Sequence, residues 1–124
     1  MNNILKYMSV VLCVGLVFLS SSCKEHHEAQ EVKYIDEFVR SFHEKVRAGN
    51  YTSIYKASSI ELRHNTDEIY FVQFMSKISS LIGPPSETKR VSLEYTKSEF
   101  GEPLIVAKYL TSYTGELATE TFQL

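Results

Sequence analysis

The spacing of apolar residues changes several times along this chain, and each change marks a boundary. A polar start, Met1 to Lys6, gives way to an uncharged apolar run, Tyr7 to Leu19, then to Ser20-Ser21-Ser22-Cys23. Lys24 to Glu31 (Lys-Glu-His-His-Glu-Ala-Gln-Glu) offers nothing to bury and predicts a flexible tether. From Val32 the apolar positions Val32, Ile35, Val39, Phe42 and Val46, with Phe38 beside them, recur at steps of three and four, the signature of an amphipathic helix. Asp36 and Arg40 are spaced as an ion pair on its outer face, and Gly49 supplies the stop. Asn50 is a good cap for a short second helix with Tyr51, Ile54 and Tyr55 on one side. Ser58 to Asn65 has weak periodicity. Thr66 and Asp67 can cap a third helix, whose stripe is Ile69, Val72, Met75, Ile78, Leu81 and Ile82, with Phe71 and Phe74 on its shoulders. Gly83-Pro84-Pro85 ends that helix.

Beyond the prolines the period falls to two. Val91, Leu93 and Tyr95 alternate with Ser92, Glu94 and Thr96, as in a half-exposed strand. A turn from Ser98 to Pro103 leads into a long strand, Leu104 to Tyr113. Thr114-Gly115-Glu116 is a hairpin signal, and Leu117 to Leu124 forms the next strand. The order predicts an α+β domain: three N-terminal helices packed on a curved antiparallel sheet of at least three strands. The domain plan is a leader over 1–22, an anchor residue and tether over 23–31, and one folded unit over 32–124, a size that suits a single modest core.

The opening segment has the layout of a secretory signal, and its apolar run is shorter than the roughly 20 residues a spanning helix needs. Leu19-Ser20-Ser21-Ser22-Cys23 resembles the lipobox of bacterial lipoproteins. That resemblance implies cleavage before Cys23, a diacylglycerol on its sulfur and an acyl group on its new amino terminus. Lys24 after the anchor cysteine resembles sorting to the outer membrane, with the domain in the periplasm. Cys13, the other of the two cysteines, sits in the apolar run and would leave with the leader, so no disulfide could form in the mature chain.

The chain carries 13 Lys and Arg against 15 Asp and Glu, for a net charge of −2, with both signs interspersed. A nucleic-acid partner would need a basic face, which this pattern does not supply. His26 and His27 beside Glu25 and Glu28 are adjacent residues in an expected mobile segment, poorly organised for a metal, and neither a metal nor a cofactor is expected.

Arg47-Ala48-Gly49-Asn50-Tyr51, the aromatic helix with Ile54-Tyr55-Lys56-Ala57-Ser58, and a helix running into Leu81-Ile82-Gly83-Pro84-Pro85 together resemble the nuclear-transport-factor-2-like (cystatin-like) superfamily, in particular its small bacterial secreted and lipoprotein members of unknown function. The resemblance covers Val32 to Leu124. It implies a cone in which helices plug one end of a bent sheet around a pocket that is empty, ligand-filled or catalytic. Similar domains usually carry one further strand after the one corresponding to Ala118 to Leu124. Its absence here implies an open sheet edge or one covered by a partner or a second copy.

For chemistry, no G-x-S-x-G elbow occurs and Cys23 is committed to lipid. His43 falls at the margin of the first helix's stripe, where a half-exposed structural histidine is the usual finding, and His64 reads as a solvated loop residue. Tyr95, Tyr109 and Tyr113 could line a small apolar pocket or simply pack with wet hydroxyls. Glu94 or Glu120 would join them only if the strands' pleat were opposite to that reading. The expectation is a non-catalytic, membrane-anchored binding domain, taking a small apolar ligand or a protein partner, or forming a homodimer through the C-terminal strand edge. The alternative is a small-pocket enzyme of the polyketide-cyclase or isomerase type.

Overall fold

The computed structural model describes residues 9–11 and 24–124. Most of the leader and the proposed anchor Cys23 lie outside the described residues. In chain order the elements are β1 (Ser9–Val11), α1 (Lys24–Arg47), α2 (Tyr51–Ala57), α3 (Ile60–Asn65), α4 (Glu68–Ile82), β2 (Thr88–Lys97), β3 (Pro103–Tyr113) and β4 (Glu116–Gln123). The helices precede an antiparallel sheet of β2, β3 and β4, as an α+β reading requires. The short β1 lies parallel beside β4, with Ser9 opposite Thr121 and Val11 opposite Gln123.

The first helix begins eight residues earlier than its apolar stripe. The segment Lys24 to Glu31, anticipated as a flexible tether, is its opening turns. Glu, Ala, Gln and Lys are good helix formers and no Gly or Pro interrupts them, so a helix held in place by the core at Ile35 and Val39 extends back through them. The anticipated Asp36–Arg40 pair is replaced by two others: Asp36 reaches across to Arg90, and Lys33 faces Glu37 at 3.9 Å one turn on.

The caps follow local chemistry. The Asn50 side chain accepts from the Ser53 amide at 3.3 Å, and Asp67 accepts from the Tyr70 amide at 2.8 Å. Between these helices lies a fourth, the six-residue α3, capped by Ser59 accepting from the Leu62 amide at 3.1 Å. The Tyr55 hydroxyl braces α3 from α2 by donating to the Thr66 carbonyl at 2.7 Å. At the end of α4, Gly83 adopts φ 78°, and a β-carbon there would collide with the Thr114 side chain of the β3–β4 hairpin.

The α4 stripe is turned relative to the sequence expectation. Phe71, Met75 and Ile78 are buried, whereas Ile69 and Leu81 face solvent with Tyr70 and Phe74. The main core joins Ile35, Val39, Phe42 and Val46 of α1 to Ile54 and Tyr55 of α2, Phe71 and Met75 of α4, and Ala107, Tyr109 and Phe122 of the sheet. Phe122 is its centre: its ring meets Phe38, Phe42 and Tyr109 edge-on, with centroids 6.1, 5.2 and 5.7 Å away.

A bulge between Arg90 and Ser92 resets the pleat of β2. Thr88 and Arg90 before it, and Leu93 and Tyr95 after it, stand opposite Thr111, Tyr109, Ala107 and Ile105. Val91, expected on the same face as Leu93, is instead 63% exposed.

Candidate functional site

The sheet face that meets α1 is polar in its middle as well as apolar. On β4 the residues Ala118, Glu120 and Phe122 are buried while Leu117 is exposed, so Glu120 points inward. On β3 the buried positions are Ala107, Tyr109, Thr111 and Tyr113. Glu120 stands directly opposite Tyr109 in the register. The pleat of β4 is therefore opposite to the sequence reading, which had left Glu120 outside. Glu94 does face outward, beside Val106.

Two clusters result, each built on a carboxylate, a tyrosine and a nitrogen-bearing side chain. In the first, His43 of α1 approaches Glu120 with 2.7 Å between Nε2 and Oε2, and the Tyr113 hydroxyl donates to the other carboxylate oxygen, Oε1. His43 is 2% exposed and Glu120 3%. His43 is thus not the half-exposed residue its place at the stripe's margin implied. One turn after Val39, it lies over the sheet because β4 offers it an acceptor. Burial first, and then the neighbouring Glu120 carboxylate, push the Tyr113 phenol well above the ordinary tyrosine range. A carboxylate here can hold two donors at once, an arrangement able to shuttle a proton or to bind rigidly in a dry interior.

In the second cluster, Asp36 Oδ1 accepts from the Tyr109 hydroxyl at 2.7 Å and from Arg90 Nη1 at 2.6 Å. Arg90 reaches it only because it precedes the bulge. Burial and then Asp36 raise the Tyr109 phenol far above its usual value, with the Arg90 charge opposing them. The Asp36 hydrogen bond is the main cause that raises the Arg90 guanidinium. This cluster opens to solvent at Asp36 and Arg90.

The three tyrosines singled out in the sequence therefore part company. Tyr113 and Tyr109 belong to separate clusters, while Tyr95 is 57% exposed and donates to Glu31 Oε2 of α1 at 3.1 Å. Partial burial, followed by the Glu31 and Glu28 carboxylates, raises its phenol. None of the three lines the cleft between α1 and α2, of about 40 Å³, whose walls are Phe38, Ser41, Phe42, Lys45, Ile54 and Ala57. That volume suits a few waters at most. His64 is exposed in the last turn of α3, not in a loop.

Among the described residues no buried side-chain nitrogen or oxygen lacks a hydrogen-bond partner, and no group of three His, Cys, Asp or Glu is placed to hold a metal. No described helix is long and apolar enough to cross a membrane. Comparison with known proteins finds no matching family model, no matching curated protein and no matching solved structure.

Proposed function

We propose that the chain is a lipid-anchored envelope protein, acylated at Cys23 after loss of residues 1–22, whose nuclear-transport-factor-2-like domain acts as a non-catalytic binding module in the periplasm. The observation that carries the binding reading is the outer side of α4. Ile69, Tyr70, Phe74 and Leu81 are exposed there while Phe71, Met75 and Ile78 of the same helix fill the interior. The Tyr70 and Phe74 rings lie nearly parallel with centroids 6.3 Å apart, an exposed aromatic pair of the kind enriched at protein interfaces. Loss of the leader would also remove β1 and free the neighbouring edge of β4 for a second copy.

The test is intact and native mass spectrometry of the full protein recovered gently from a bacterial host. A chain beginning at Cys23 with acyl mass, accompanied by a stoichiometric partner, second copy or apolar ligand, supports the reading. An unprocessed, unacylated chain overturns the anchor. A processed chain that stays bare and monomeric when Tyr70 and Phe74 are intact overturns the binding module.

A second reading, an enzyme of the polyketide-cyclase or isomerase type, draws on the inward polar constellation of His43, Glu120 and Tyr113. It requires an opening over Glu120 wide enough for a substrate. Hydrogen exchange at the α1 and β4 amides that stays at the globally unfolding limit would rule that opening out.

A further inference from the structure

The early start of α1 and the direction in which it crosses the sheet fix which end of the domain faces the anchor. Going along α1, Glu31 meets Tyr95 near the end of β2, Asp36 meets Arg90 further back, and Arg47 donates to the Pro85 carbonyl before β2 begins, at 2.9 Å. The helix therefore runs antiparallel to β2, and its first turns project past the sheet beside the β2–β3 turn. From Glu31 back to Lys24 the helix rises about 10 Å at about 1.5 Å per residue. From Tyr95 forward, two more strand residues and the turn carry the chain about 10 Å in the same direction at about 3.3 Å per residue. Both project to a similar height, and the turn holds a firm shape: Ser98 and Gly101 bond across it, and the Ser98 amide donates to the Glu102 carbonyl at 2.8 Å. At its tip stands Phe100, 82% exposed and, among the described residues, the most exposed of the large apolar side chains.

Resting on the reading of Cys23 as the acylated residue, we infer that the β2–β3 turn is a second membrane contact, with Phe100 entering the lipid surface next to the acyl anchor. Without a loose segment between Cys23 and α1, the lipid holds this end of the domain against the bilayer. A phenylalanine there is drawn into the interface by burial of its ring. Lys97, Glu99 and Glu102 flank it with a net negative charge, so the contact is apolar rather than a pull on anionic headgroups. Two attachment points would fix the orientation of the domain, and with it the direction in which the exposed side of α4 is presented.

The protein contains no tryptophan, so Phe100→Trp installs a unique reporter. Leu117→Trp, 66% exposed at the hairpin on the opposite end of the sheet, is its counterpart. Each full chain, processed in a bacterial host, is reconstituted in phosphatidylethanolamine and phosphatidylglycerol vesicles with and without brominated acyl chains. The result expected is a blue-shifted emission at position 100 that is lost with brominated lipid and unchanged by added salt, and a solvent-like, unquenched emission at 117. Equal quenching at both positions, or none at 100, overturns the contact. Mass measurement of the same samples separates the two readings. Acylated protein with an unquenched Trp at 100 overturns this contact alone, whereas protein lacking acyl mass overturns the anchor and the contact together.

Discussion

The two clusters beneath α1 are near copies in composition and unlike in consequence. His43, Glu120 and Tyr113 are shut inside the domain, whereas the second cluster runs from the buried Tyr109 out to Arg90 and Asp36, whose side chains are 30% and 47% exposed. Water can replace any partner lost from the open cluster. In the closed one nothing replaces it, and a carboxylate left with one donor keeps its full desolvation cost. Similar composition thus conceals unequal stakes, with burial setting the scale.

The sharpest way to break that contrast is to remove the nitrogen-bearing partner from each cluster. His43→Leu is expected to lower unfolding stability by about 3–5 kcal/mol in urea titrations, because it leaves a buried carboxylate with only the Tyr113 hydroxyl as partner. Adding Glu120→Leu should recover a large part of that loss, giving a strong coupling in the double-mutant cycle. A cost below about 1 kcal/mol for the single change would mean that water reaches Glu120 and the clusters do not differ.

The tyrosines offer a milder version. Tyr113→Phe should cost about 1.5–3 kcal/mol, as for a hydrogen bond to a buried charged group, and Tyr109→Phe about 1 kcal/mol. Reversal of that order would locate the tighter site at Asp36. Alkaline titration probes the same pair without truncation. Both phenols are raised in the folded state, so the stability they contribute is present below the ordinary tyrosine range, near pH 10, and is lost as pH rises through and beyond it. Phenolate absorbance should show these two hydroxyls ionising only with unfolding, and either Tyr113→Phe or Tyr109→Phe should flatten the alkaline limb. The smallest effect belongs to Arg90→Ala, about 0–1 kcal/mol and diminished by salt, as befits a screened pair.

Much of this architecture is written in local chemistry. Asn50, Asp67 and Gly83 mark helix ends through side-chain caps and a positive φ, and the alternation of Leu93 and Tyr95 with Glu94 and Thr96 marks a strand. The opening turns of α1 were illegible because hydrophobic periodicity sees only residues that bury something, and Lys24 to Glu31 do not. The six-residue α3 is too short to show a period. The bulge at Val91 shifts parity by one, so Arg90 and Leu93 share a face that simple alternation denies them. Glu120 was missed because a charged residue argues for the outside. Its apolar neighbours of equal parity, Ala118 and Phe122, were the signal that could have placed it within. Its partner His43 lies 77 residues away, a separation that no local pattern spans.

That separation has a bearing on how the domain comes into being. Phe122 closes the aromatic cluster on Phe38 and Phe42, so the seat of α1 is complete once β4 has joined the sheet. Contacts so distant in sequence form after the local helices and the β2–β3 hairpin. A chain still lacking β4 would hold its local helices and the β2–β3 hairpin around an unfinished interior.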